Sequence, residues 1–140
     1  MNLLDKCKAI AEDIYKDLGS GWDEVIYHKA FEVALRLQGI AYESKRITPV
    51  TYKDHTIGEG EIDLLVKDGD EWLIIELKAT DKLIADNASQ LNKYMRTLNI
   101  KNGLLINFPQ PSSRAKLECE TASGVEYVIA SDTQEVTHDG

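Results

Sequence analysis

The stretch Glu61-Ile-Asp-Leu-Leu-Val-Lys67, Asp68-Gly69-Asp70, Glu71-Trp-Leu-Ile-Ile-Glu-Leu-Lys-Ala79 decides the fold. Two apolar runs flank an Asp-Gly-Asp turn, which is the pattern of a β-hairpin. Side chains alternate faces along a strand, so Glu76 and Lys78 share a side. A two-residue turn at Asp68-Gly69 pairs Lys67 with Asp70 and sets Asp63 diagonal to Glu76. A turn at Gly69-Asp70 sets Asp63 directly opposite Glu76. Asp-Gly is a favoured hairpin turn, so the first register is expected. In either register Asp63, Glu76 and Lys78 lie on one face. Two carboxylates and an ammonium suit a divalent-metal phosphodiester hydrolase. The carboxylates are hard oxygen ligands for Mg²⁺ or Mn²⁺, and the lysine orients or deprotonates the attacking water.

A Glu-x-Lys pair on a solvated edge strand, held in weak surface ion pairs, accounts for the same residues. Their neighbours argue otherwise. Leu73, Ile75 and Leu77 fill one face, and Trp72 and Ile74 make the Glu76 face apolar as well. A strand apolar on both faces is usually an interior one. Ionic groups at the end of such a strand are costly unless paired or metal-bound.

The surrounding periodicity supplies the layers. Leu3, Leu4, Cys7, Ile10, Ala11, Ile14 and Leu18 recur at helical spacing and predict a helix stopped at Gly19. Ser20 with Asp23 resembles a capping box for a second helix from about Gly21 to Gln38, ended by Gly39. Ala41 to Lys53 reads as a strand, with Pro49 marking an edge or a bulge. Ile57 to Lys67 and Glu71 to Ala79 follow as strands. A third helix, about Ile84 to Leu98, carries the stripe Ile84, Ala88, Leu91, Met95, Leu98. Gly103 to Phe108 is a buried strand, and a helix between two strands implies a crossover with parallel pairing. Gly124 to Ala130 is a late edge strand, and residues 131–140 form a polar tail. The order ααβββαβ, then a late β, gives an α/β fold with a mixed sheet flanked by helices. Residues 1–130 are read as a single domain.

The bulk numbers narrow the function classes. Of 140 residues, 43% are hydrophobic, and no apolar run is long enough to span a bilayer. A soluble, cytoplasmic protein with no membrane partner is expected. Cys7 and Cys119 are too few for a zinc site or a disulfide framework. The net charge of −8 does not advertise nucleic-acid binding. Residues 83–114, directly after the candidate site, form the one basic segment, with four Lys/Arg against one Asp/Glu. A protein partner that supplies DNA affinity would reconcile this charge with an intact acidic cluster.

The segment Gly21-Trp-Asp-Glu24-Val-Ile-Tyr27 matches the pattern Gly-x-x-Glu-x-x-Tyr. With Gly60-Glu-Ile-Asp63, Ile75-Glu76-Leu-Lys78, Gln90-Leu-Asn-Lys-Tyr94 and Gly103-Leu-Leu-Ile-Asn-Phe108, the chain resembles the GxxExxY family of the PD-(D/E)XK nuclease-like superfamily over residues 5–108. The resemblance implies a restriction-endonuclease-like core. It implies Asp63 and Glu76 as metal-binding acids, Lys78 as the site lysine and Glu24 as a helix-borne acid completing the cluster. It also implies that Gln90 and Tyr94 help position a nucleic-acid strand. Ile62 stands where the superfamily name has proline, a tolerant position.

Independently of the resemblance, Glu24 falls in the first turn of its helix, where the macrodipole favours an anion by about 0.3–1 kcal/mol. Tyr27, three residues on, is read as packing and orienting rather than catalytic. His28 is read as a packed or surface histidine, because imidazole is a poor ligand beside hard carboxylates. Gln90 and Tyr94 are helical neighbours, expected on the flank of the buried stripe. The expected function is metal-dependent hydrolysis of phosphodiester bonds in nucleic acid, DNA foremost. The alternative is an inactive nuclease-like module that binds nucleic acid or a protein.

Overall fold

The computed structural model describes residues 1–81, 83, 85–110 and 124–131. Its elements run α1 (Leu3–Leu18), α2 (Glu24–Leu37), β1 (Ala41–Tyr52), β2 (His55–Asp68), β3 (Glu71–Lys78), α3 (Ala85–Leu98), β4 (Asn102–Asn107) and β5 (Glu126–Ser131). The strands form one five-stranded sheet in the order β1-β2-β3-β4-β5. All neighbours are antiparallel except β3 and β4, which α3 joins by a crossover and which pair in parallel. The expected fold class and element order are therefore observed. Cys119, His138, Ile84 and tail residues 132–140 lie outside the described residues. Ser131, expected in the tail, ends β5.

α1 and α2 cover one face of the sheet. Cys7, Ile10, Ile14, Tyr27, Phe31 and Leu35 pack there on Leu64, Val66, Leu73, Ile75, Leu77 and Ile106. α3 covers the other face, where Leu91, Tyr94 and Met95 meet Ile62, Leu65, Ile74 and Leu105. Each such side chain, fully buried, contributes about 1.5–3 kcal/mol. β3 is covered on both faces, as its apolar sequence implies. β1 and β5 are the edges, so Pro49 sits where a missing N–H is tolerated.

Three local expectations are corrected. The hairpin pairs Lys67 with Trp72 and Asp68 with Glu71, so the turn is Gly69-Asp70 and not Asp68-Gly69. Gly69 has φ 62° and Asp70 is not left-handed, the arrangement of a turn that wants glycine at its first central position. Next, α2 starts at Glu24 and not Gly21, because Gly21 has φ 99°, which no right-handed helix contains. Asp23 takes the cap position without a side-chain hydrogen bond, so the expected capping box is absent. Finally, Tyr94 lies in the core under α3, only 9% exposed, and not on its flank.

β2 pairs with β3 only from Leu64 to Asp68. Beyond Leu64, β1 and β2 continue together as a two-stranded arm to the Lys53-Asp54 turn, where φ is 47° and 67°. Along the arm the faces change over. Ile62 packs under α3 whereas Leu64 packs under α1 and α2, although residues two apart normally share a face. The switch falls at Asp63.

Candidate active site

Asp63 stands where β2 leaves β3. No backbone carbonyl of β2 follows to meet the next β3 donor, and the side chain takes its place. The Leu77 N–H donates to Asp63 Oδ2 at 2.7 Å, a buried bond. This bond holds the carboxylate beside β3, where continuation of the Leu64–Ile75 register sets Asp63 across from Glu76.

Glu76 is 5% exposed and Asp63 8%. The Glu76 pKa is pushed up to about 9, first by burial, then by the charge of Asp63 and a hydrogen bond shared with its carboxyl; Lys78 opposes the rise. With its pKa raised this far, Glu76 favours the protonated form at neutral pH until a cation relieves the repulsion from Asp63. Glu76 Oε1 is buried and has no hydrogen-bond partner among the described residues. A buried oxygen left without a partner costs about 1–3 kcal/mol, more when charged.

Lys78 follows Glu76 on the same face of β3, and its backbone carbonyl accepts the Phe108 N–H at 2.9 Å. Glu24 comes from the first turn of α2. Partial burial raises its pKa first and the charge of Asp63 second, while Lys78 and Lys45 oppose the rise. Glu24 is thus within electrostatic reach of Asp63 and Lys78. Tyr27 anchors this helix start. Its ring stacks on Phe108 with centroids 4.3 Å apart, and its hydroxyl donates to the Gly19 carbonyl at 2.6 Å. It is fully buried, in keeping with a packing residue.

His28, one turn beyond Glu24, is buried and bonded to Ser44 Oγ at 2.7 Å through Nε2. Burial, then Lys45, lowers its pKa, so the ring is neutral and structural. Gln90 is exposed, and its Nε2 donates to the Tyr94 hydroxyl at 3.3 Å. Both line a groove of about 820 Å³ between α3 and the arm, with Thr48, Gly60 and Lys93 among its other walls. The Tyr94 ring lies close enough to β2 that a Cβ at Gly60 would sit 2.6 Å from Tyr94 Cε1. Gly60 opens the motif Gly60-Glu-Ile-Asp63, and the sequence gives no sign of its contact with Tyr94. Cys7 is buried, with a thiol pushed up to about 12 by burial and then by Asp68, and is unreactive.

The structure therefore brings Asp63 and Glu76 together and sets Lys78 and Glu24 in their field. Gln90 and Tyr94 stand along α3 beside the arm. Among the described residues, no three carboxylate, imidazole or thiolate groups are already drawn together as a closed ion cage. The donors nevertheless fit a hard divalent cation. They are carboxylate oxygens, one of them buried without a partner, and the shared proton is what a cation would displace.

A model of the PD-(D/E)XK nuclease superfamily matches residues 1–119. The chain belongs to this superfamily. No curated protein matches the chain. Among solved structures, the crystal structure of SSO0001 superposes with a TM-score of 0.55 at 14% identity, covering 76% of this chain and 50% of the other. The chain thus spans half the length of SSO0001. Hjc of Archaeoglobus fulgidus, a Holliday junction resolvase, gives a TM-score of 0.42 at 19% identity, covering 64% of this chain and 70% of that one. AF1548, a protein of unknown function, gives 0.45 at 16%, covering 66% and 50%. At these identities the likeness is one of fold. Among the described residues no helix is long and apolar enough to cross a membrane.

Proposed function

We propose that this nuclease-superfamily chain hydrolyses phosphodiester bonds in nucleic acid, DNA foremost, with Mg²⁺ or Mn²⁺ bound at Asp63 and Glu76 and Glu24 as the third acid. The observation that carries the reading is the buried Asp63–Glu76 pair, whose Glu76 Oε1 has no hydrogen-bond partner among the described residues and whose Glu76 pKa is pushed up by burial and by Asp63. A structural ion pair would place a cation there; an apolar core would place no carboxylates at all.

When bound, the divalent ion would lower the pKa of a coordinated water and offset charge on the phosphate. The protein side chains do the rest. Asp63 is held by the Leu77 N–H, so its free oxygen is fixed toward Glu76. Glu76 gives up the retained proton and turns its orphaned oxygen into a donor. Lys78 orients the attacking water and balances charge that develops in line with the scissile bond. Gln90 and Tyr94, along the groove under the arm, guide the strand leaving the site.

Calorimetric titration of Mn²⁺ into the purified protein tests the reading. Wild type is expected to bind with release of a proton near neutral pH, read as a buffer-dependent enthalpy. Asp63→Asn is expected to lose both binding and proton release. Equal binding by wild type and Asp63→Asn would remove the ion from this pair.

A further inference from the structure

Lys45 occupies a place in β1 that the mechanism above does not use. The neighbouring pairs are Ser44 with Leu64 and Arg46 with Ile62, so Lys45 lies across from Asp63 at the point where both strands change faces. Its φ is 57°, a left-handed conformation inside a strand, at a residue with a Cβ. Such a conformation costs free energy and persists only where its surroundings enforce it. Here the enforcing contacts are visible. Buried His28 bonds the adjacent Ser44 through Nε2 at 2.7 Å, and Ser44 is paired with Leu64. The bend therefore fixes where Lys45 points.

It points along the rim of the acid cluster. Lys45 Nζ is 3.7 Å from Glu61 Oε1, and both side chains are about half exposed, 49% each. Its charge is felt by Glu24 and by His28, both on α2. The ammonium thus lies by Glu61 of β2 and within electrostatic reach of the start of α2. The pair with Glu61 is long and solvated, and a phosphate can displace it. Glu24, Glu61 and the Asp63–Glu76 pair make the site acidic, so a polyanion entering it gains from a cation beside Lys78.

We propose that Lys45 is a phosphate-binding residue of the site, a second cation that clamps the nucleic-acid backbone beside Asp63; this rests on the hydrolase reading above. The left-handed bend exists to aim it there. A surface lysine in a strand needs no such conformation, and the bend alone would be met more cheaply by glycine.

Three substitutions separate charge from bend. Lys45→Gln removes the charge, Lys45→Arg keeps it, and Lys45→Gly removes the charge while easing the backbone. Binding of a fluorescein-labelled oligonucleotide, single-stranded and duplex, is followed by anisotropy against salt, with Ca²⁺ in place of Mn²⁺. The slope of log K against log[salt] should flatten by about 0.9 for duplex or about 0.7 for single strand in both Lys45→Gln and Lys45→Gly. Lys45→Arg should keep the wild-type slope. Lys45→Gln or Lys45→Gly with the wild-type slope and affinity overturns the assignment while leaving the hydrolase reading intact. A wild type that binds neither oligonucleotide overturns both. If Lys45→Gln is too unstable to assay, Lys45→Gly against Lys45→Arg decides alone.

Discussion

Replacing Glu76 by glutamine tests the electrostatics of the site without a substrate. The carboxyl has its ordinary value of 4.5 in the unfolded chain and about 9 in the metal-free native protein. Between those values the unfolded state has released its proton and the native state has kept it. The native state then binds more protons than the unfolded, so stability falls as pH rises through this window and levels above it. Integrated to pH 7 the cost is about 3 kcal/mol, an upper figure because the proton is shared with Asp63. Glutamine occupies the same volume and carries no such linkage. In EDTA, Glu76→Gln should melt above wild type at pH 7, by roughly 10 °C for a domain this size. The gap should close below pH 4.5, where both states of wild type are protonated. In millimolar Mn²⁺ the order should invert, because only wild type gains from the ion. Differential scanning calorimetry at pH 4, 5.5, 7 and 8.5, with EDTA and with Mn²⁺, reads all of this. A Glu76→Gln protein whose stability tracks pH as wild type does in EDTA would refute a proton held on this pair.

Lys78→Ala should lose cleavage by about a hundredfold or more while keeping the Mn²⁺-linked rise in melting temperature, because it removes a positioning charge and not a ligand; thermal scans beside an activity assay check both. Gly60→Ala should destabilise by roughly 1–3 kcal/mol, because its Cβ would meet Tyr94 Cε1 at 2.6 Å and the ring must move; chemical denaturation measures this, and Gly60→Ala with Tyr94→Leu should recover part of the loss. Cys7 should resist alkylation in the native protein and react on unfolding, since burial pushes its thiol up to about 12; mass spectrometry after iodoacetamide treatment reads the difference.

The sheet and its helices were legible because their signals are periodic and local. β3 is apolar on both faces in the sequence and covered on both faces in the structure. The Leu3–Leu18 stripe gave a helix with those bounds. The hairpin register was not legible from composition, since both Asp68-Gly69 and Gly69-Asp70 make acceptable turns. The register places Gly69 at the first central position of the turn, with φ 62°. Tyr94 was misplaced because helical geometry counts angles from the apolar stripe and cannot see that Gly60 leaves room for a ring. Of the candidate site, the shared face of Glu76 and Lys78 was readable from period two, whereas Asp63 comes beside Glu76 through the hairpin register, at the point where β2 changes faces. The approach of Glu24 needed the fold, since α2 meets the sheet only through tertiary packing. The bend at Lys45 has no local signal, because nothing in Glu43-Ser44-Lys45-Arg46 disfavours an ordinary strand. Its neighbour Ser44 is bonded to His28 across two elements, a contact no local pattern announces.

The most direct measurement is cleavage of end-labelled single-stranded, duplex and branched DNA by the purified protein, in EDTA, Mg²⁺ and Mn²⁺, beside Asp63→Asn. The account predicts products with Mn²⁺ or Mg²⁺, none in EDTA, and none from Asp63→Asn under any condition. Wild type that leaves every substrate intact in both ions, or Asp63→Asn that cuts as wild type does, would contradict it.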